Sequence, residues 1–203
     1  MRIIKKTSRL MTNVTAYRLW QAPFARAKMA PVLQYNDLRA VRRVLDVGCG
    51  PGTNCAYFAH ADYLGIDLNH DYIEYARRRY RREFVVQDVR DYRPPEGQPF
   101  DFVLMNSLLH HLSDEDTHQA LRRLRPLVCS DGHVHVIELV MPERACVARL
   151  LAAGDRGDYA RPLGRWNEIL SEHFCPVVFV PYPVKAFGIT LWNLVYFKGR
   201  GEH

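Results

Sequence analysis

The sequence has no run that approaches the roughly 18 apolar residues needed to span a bilayer as a helix. Its opening, MRIIKKTSRLMTNVTAY, is basic but lacks the apolar stretch of a secretory signal. Cysteine is sparse and unpatterned. The five stand at 49, 55, 129, 146 and 175, with no C-x-x-C pair and no ligand-like grouping with the histidines. Such spacing argues against a disulfide framework or a cysteine metal centre and fits a reducing compartment. Neither sign of charge dominates. The 28 basic and 22 acidic residues leave a net charge of +6, too modest to select nucleic acid, an acidic metabolite or a membrane surface as partner. No internal repeat or low-complexity linker interrupts the chain. The expectation is a soluble, cytoplasmic protein without a membrane span.

What the chain does contain is an ordinary globular composition, 48% apolar and 25% charged over 203 residues, enough to bury a core in one domain. Leu10, Val14, Tyr17, Trp20 and Phe24 recur at spacings of three or four, predicting an amphipathic helical segment over 10–40, divided by Pro23 and Pro31 into two or three short helices. An alternation follows. Strands are expected at 43–47, 62–66, 83–87, 100–105 and 132–140, and helices at 53–60, 70–82 and 114–127. This order implies a parallel sheet covered by helices on both faces. After a further helix, RWNEILSEHF, the runs CPVVFVPYP and TLWNLVYFKG have no helix between them and must pair antiparallel. The reading is therefore a doubly wound α/β fold. Residues 1–40 form a helical segment or lid, and residues 41–203 form the main domain.

The stretch RVLDVGCGPGTN, 43–54, runs from a strand into glycines at every second position. Two cofactor classes use such a bare loop, dinucleotides and S-adenosylmethionine. The dinucleotide pattern is G-x-G-x-x-G. Here Gly48 and Gly50 fit, but Thr53 stands where the third glycine belongs, and Gly52 comes one position early beside Pro51. Proline has no N–H, so the loop is a poor pyrophosphate cradle. It suits a ligand that needs close backbone approach and carries no phosphate. Asp46, Asp67 and Asp88 each end a predicted strand, with 21 positions between successive members. A carboxylate at such a strand end can accept both hydroxyls of a ribose, which is the expectation for Asp67. Asp88 can accept from an adenine amine beside the Val89 N–H. Asp46 is open between cofactor contact and hydrogen bonding to its own turn. Cys49 needs only to be small and apolar.

LDVGCGPG, GIDLN, QDVRDY and FDFVLMNSLLHHL, in that order, resemble the motifs of class I S-adenosylmethionine-dependent methyltransferases over roughly residues 43 to 112. The resemblance implies a seven-stranded, mostly parallel sheet with an antiparallel last strand, and S-adenosylmethionine as cofactor. It implies that Gly48, Cys49 and Gly50 line the methionine part and that Asp67 and Leu68 hold the ribose. Asp88 and Val89 would hold the adenine, and Asn106 would lie beside the methionine moiety. Lys28 can reach the methionine carboxylate from above the glycine loop.

Methyl transfer from a sulfonium needs alignment, and a base only where the acceptor carries a proton. His110 and His111 follow the fourth strand, where the crevice of such a sheet opens. Adjacent side chains diverge, so at most one of the two faces the acceptor, and His111 is preferred. Tyr17, Trp20, Phe24, Tyr159, Trp166, Tyr182 and Phe187 are candidate linings for a small apolar or aromatic acceptor, or else core. The basic run ARRRYRR, 76–82, closes a predicted helix, where cations offset the macrodipole, and lacks the interleaved aromatics of a nucleic-acid platform. Nucleic acid is the less expected partner. An RNA or protein acceptor, and a cofactor-binding protein without methyl transfer, are the alternatives.

Overall fold

A computed structural model describes residues 14–93, 99–153 and 157–201, with side chains from residue 23 onward. Seven strands, β1 (Arg43–Val47), β2 (Asp62–Asp67), β3 (Glu83–Val86), β4 (Phe100–Asn106), β5 (Val128–Leu139), β6 (Cys175–Ala186) and β7 (Ile189–Arg200), form one sheet in the order β3-β2-β1-β4-β5-β7-β6. The first five are parallel. β7 alone runs antiparallel, inserted between β5 and β6.

The helices are α1 (Val14–Tyr35), α2 (His70–Arg79), α3 (Asp114–Leu124), α4 (Val147–Ala153) and α5 (Leu163–Ser171). Local chemistry sets the ends of α2 and α3. Asn69 accepts from the N–H groups of Asp71 and Tyr72, and Ser113 from that of Asp116. Acidic residues fill both first turns and arginines both last turns, as the helix dipole favours.

Alternate residues of the central strands supply the two sides of the core, as the two-residue pleat requires. Leu45, Val47, Val103 and Met105 pack with Leu121 and Leu124 of α3 and with Trp166 and Ile169 of α5. Val44, Phe102 and Leu104 pack with Met29 and Val32 of α1 and with Ile73 and Ala76 of α2. The sheet is thus doubly wound, as expected.

Two local expectations are corrected. Residues 14–35 form one continuous helix despite Pro23 and Pro31; residues 10–13 of the expected segment lie outside the described region. Pro31 offers no N–H to the Ala27 carbonyl; one residue on, the Tyr182 hydroxyl donates to the Lys28 carbonyl at 2.6 Å. Edge-on packing of Phe24 against Trp192, centroids 4.8 Å apart, also ties this helix to β7. The second correction concerns 53–60, which is a 3-10 turn over Thr53–Phe58. Gly52 stands at its N-cap in the left-handed region, with no side chain to accept from the first N–H groups.

Candidate active site

All the parallel strands deliver their carboxyl ends to one edge of the sheet, where ligands of open α/β sheets bind. The chain leaves β1 through Gly48 (φ 69°), Gly50 (φ 54°) and Gly52 (φ 77°), conformations that glycine alone adopts cheaply. A Cβ on Gly48 would also stand 2.8 Å from Leu108 Cδ1. A cavity of about 370 Å³ opens beside this loop. Its lining includes Gly48, Gly50, Asp67, Leu68, Asp88, Val89, Asn106 and His111.

The three strand-end aspartates do different things. Asp46 is fully buried and does not line the cavity. It accepts hydrogen bonds from the Tyr63 hydroxyl and from Asn54 Nδ2, the latter at 3.2 Å. The turn-supporting alternative therefore describes its contacts. Burial pushes its carboxyl up to about 7, against the two hydrogen bonds. Asp67 holds the loop from the cavity side, one oxygen accepting from Gly50 N–H and the other from Asn69 N–H, each at 2.8 Å. A carboxylate has about four lone-pair positions, so capacity remains for two ligand hydroxyls. Partial burial raises its pKa, opposed by those two backbone donors. Asp88 lines the cavity, but its carboxylate is gripped by Arg90. Arg90 Nη2 donates to Oδ2 at 2.6 Å and the Arg90 backbone N–H to Oδ1 at 2.8 Å. This guanidinium holds Asp88 below the usual carboxylate range and also donates to Asp116 at 2.7 Å.

Cys49 and Lys28 face a small side recess of about 40 Å³ that shares Gly48, Asn106 and Ser107 with the main cavity. Burial, together with the charges of Asp46 and Asp67, pushes the Cys49 thiol well above its ordinary value, so it is an inert packing group. Lys28 Nζ donates to Ser107 Oγ at 3.3 Å, and Ser107 Oγ donates to Asn106 Oδ1 at 3.2 Å. Ser107 has φ 59°, a strained position for a residue with a side chain. It joins the lysine of α1 to the asparagine that ends β4.

His110 and His111 separate as neighbours must. His111 is exposed and lines the cavity. His110 is buried, with Nδ1 2.7 Å from Glu138 Oε2. The candidate catalytic role of His110 is corrected on this ground, because its ring faces the protein interior. Glu138, fully buried on β5, also accepts from Leu108 N–H at 2.9 Å and Leu109 N–H at 2.5 Å. Burial would push this carboxyl up; the facing His110 and the backbone donors outweigh it and hold it below the usual range. On the opposite side, the buried Arg161 donates to the carbonyls of Leu109 at 3.1 Å and Leu112 at 2.8 Å, and to Asp114 at 2.7 Å. The turn bearing His111 is thus clamped through its N–H groups and its carbonyls. Sequence reading missed Glu138, Arg161 and Ser107. The one available signal was a single carboxylate inside the otherwise apolar VIELV.

Of the aromatic candidates, Trp166 is core and Phe24 packs on Trp192. Phe187 is fully exposed in the β6–β7 turn, and Tyr159 is partly exposed beside the histidine turn, its N–H bonded to the His110 carbonyl at 3.0 Å. The side chains of Tyr17 and Trp20 lie outside the described residues. Among the described residues, no helix is long and apolar enough to cross a membrane.

Comparison with known proteins gives the same answer from several directions. A family model described as a methyltransferase domain matches residues 44–132. The chain is 40% identical over 94 residues to the fatty-acid O-methyltransferase of Mycolicibacterium smegmatis, covering 42% of this chain but only 34% of that protein. It is 32% identical over 144 residues to an uncharacterised methyltransferase of Mycobacterium tuberculosis, covering 68% of this chain and 69% of the other. The crystal structure of a plantazolicin methyltransferase, in complex with a triazolic desmethylPZN analog and SAH, superimposes with a TM-score of 0.73 at 15% identity, over 98% of this chain and 92% of that one. The bare glycine turn, the cavity beside it and the Asp67 carboxylate fit an adenosyl sulfonium that brings no phosphate to neutralise. On identity sustained across both chains, and with that fold shared, this chain belongs to the class I S-adenosylmethionine-dependent methyltransferases, and S-adenosylmethionine is its cofactor.

Proposed function

We propose that the protein methylates an oxygen or nitrogen of a small, apolar or aromatic metabolite, with His111 as the base where the acceptor carries a proton. The observation that carries this reading is the placement of His111: it is exposed on the wall of the cofactor-sized cavity, on a turn fixed from both sides. When bound, S-adenosylmethionine supplies an already activated methyl group. The chain's own residues have three tasks. Asp67 and Leu68 hold the sugar, and Asp88 and Val89 stand at the base end. Gly48 and Gly50 allow close backbone approach, and Lys28, with Asn106, receives the methionine end. His111 accepts the acceptor's proton, and Glu138 with His110 positions the turn. The segment before residue 41 acts as a lid, with α1 carrying Lys28 to the recess.

A small-molecule acceptor is supported by a cavity in the size range of ligand pockets, about 300–1,000 Å³, and by the relative that acts on fatty acids. The arginines of the 76–82 run belong to the other end of the sheet. Arg82 donates to the Ala61 carbonyl and Arg77 to the Phe84 carbonyl, beside the strand starts rather than the cavity mouth. A nucleic-acid acceptor is disfavoured on that ground.

The test is transfer of labelled methyl from S-adenosylmethionine to a panel of long-chain and aromatic acids, phenols and amines, with cellular RNA and protein alongside. Label in the small-molecule fraction is expected, and label confined to RNA or protein would overturn the reading. His111→Ala should slow transfer to a protonated acceptor by about 100-fold or more. Unchanged rates across pH would remove the base assignment.

A further inference from the structure

Outside the cavity lining, α3 and the end of α5 bring together three metal-competent side chains, His118, Glu172 and His173. Nδ1 of His118 lies 2.8 Å from Nε2 of His173 and 3.5 Å from Oε2 of Glu172. One donor atom from each residue lies within 4.8 Å of the others. The backbones beneath them are anchored. His118 follows the fully buried Thr117, and the His173 and Phe174 N–H groups both return to the Leu170 carbonyl, with Phe174 sunk in the core. His173 is itself buried, whereas Glu172 is exposed, so the cluster opens outward through the carboxylate.

We propose that His118, Glu172 and His173 form a zinc-class divalent metal site that staples α3 to the end of α5. Two imidazoles and a carboxylate, with a position left for water, are a donor set that Zn²⁺ favours over Mg²⁺ or Ca²⁺. Tetrahedral ligands at about 2.0–2.1 Å from zinc stand about 3.3 Å apart. The two ring nitrogens would therefore separate by about half an ångström as the ion enters, and the imidazole that donates in their mutual hydrogen bond would switch tautomer. Arg122 and Arg125 lie close enough to His173 to oppose a cation. The Glu172 carboxylate offsets part of that charge as well as supplying one oxygen ligand. None of the three residues lines the cofactor cavity, and the site stands independently of the acceptor assignment.

The experiment uses the full chain without a histidine tag, freed of metal with a chelator and titrated with ZnCl₂ by calorimetry. Co²⁺ substitution reads the coordination geometry by visible absorption. One zinc per chain, intense tetrahedral cobalt bands and a zinc-dependent rise in melting temperature are expected. His118→Gln and Glu172→Gln, both on accessible positions, should weaken binding at least about tenfold, since even outer partners of metal sites are worth that much. His60→Gln, at an exposed histidine elsewhere, should bind as the parent does. Absence of saturable binding, or equal affinity in His118→Gln, would overturn the site. So would octahedral cobalt spectra indifferent to both substitutions.

Discussion

Asp46, Asp67 and Asp88 share a residue type and a position close to a strand's end, yet their surroundings give them separate properties. Asp67 keeps acceptor capacity towards the cavity, so Asp67→Ala should weaken S-adenosylmethionine binding by roughly 1.5–3 kcal/mol, the worth of hydrogen bonds to a charged group. Calorimetry checks this. Asp88 is already satisfied by the Arg90 fork, so Asp88→Ala should weaken binding by less than the Asp67 change in the same titration. Asp46 makes a pH prediction. Its carboxyl is raised from 3.8 to about 7 in the folded chain, so the folded state binds the proton more tightly than the unfolded state. The associated stability is present below about pH 4 and is lost as pH rises towards about 7. Asp46→Asn cannot titrate there. Urea unfolding across that range should show the parent losing stability with rising pH relative to the variant, and parallel curves would refute the buried-acid reading. Sequence spacing could group these three acids but not rank them, because the rank comes from Tyr63, Asn54 and Arg90 arriving beside them in space.

At the scale of elements, the 3-10 turn Leu109–His111 owes its shape to groups outside it. Glu138 of β5 collects the N–H groups of Leu108 and Leu109 together with His110, and Arg161 collects the carbonyls of Leu109 and Leu112. Glu138→Ala would leave that buried ring and those donors without their partner, at a cost of about 3–5 kcal/mol. Denaturant unfolding should register the loss, with Glu138→Gln retaining part of it. If Glu138→Gln instead lowers turnover while leaving cofactor affinity intact, the clamp acts on the position of His111. Helix α5 offers a second test. Trp166 Nε1 donates to the Leu139 carbonyl at 2.9 Å, and Arg161 stacks over its ring at 4.7 Å. Trp166→Phe removes the donor, and the buried carbonyl left unpaired should cost about 1–3 kcal/mol in the same unfolding measurement. Helices α2 and α3 were legible, with Asn69 and Ser113 capping where the pattern placed their starts. The continuous helix through Pro23 and Pro31 was not, since it is held by Tyr182 and Trp192 of the far strands.

On the scale of the whole molecule, the sheet order places the C-terminal pair along the edge that β5 would otherwise expose. β7 covers the edge of β5 from Val134 to Leu139, and β6 closes the edge beyond it. A chain ending at Phe174 would uncover that edge and the buried Val195, Tyr196 and Phe197 contacts. It should lose cooperative unfolding and near-UV circular dichroism; a sharp transition in the truncated chain would show that the five parallel strands suffice.

Periodicity, the turn residues and the glycine loop were enough to specify an alternating α/β chain, an antiparallel close and a bare loop after the first strand, because those features depend on neighbours a few residues apart. Contacts between distant segments had to await folding. Glu138 lies 28 positions beyond His110, and His173 lies 55 beyond His118. No local pattern encodes such pairings, since a side chain's burial, charge state and partners are properties of the space it enters rather than of the chain on either side of it.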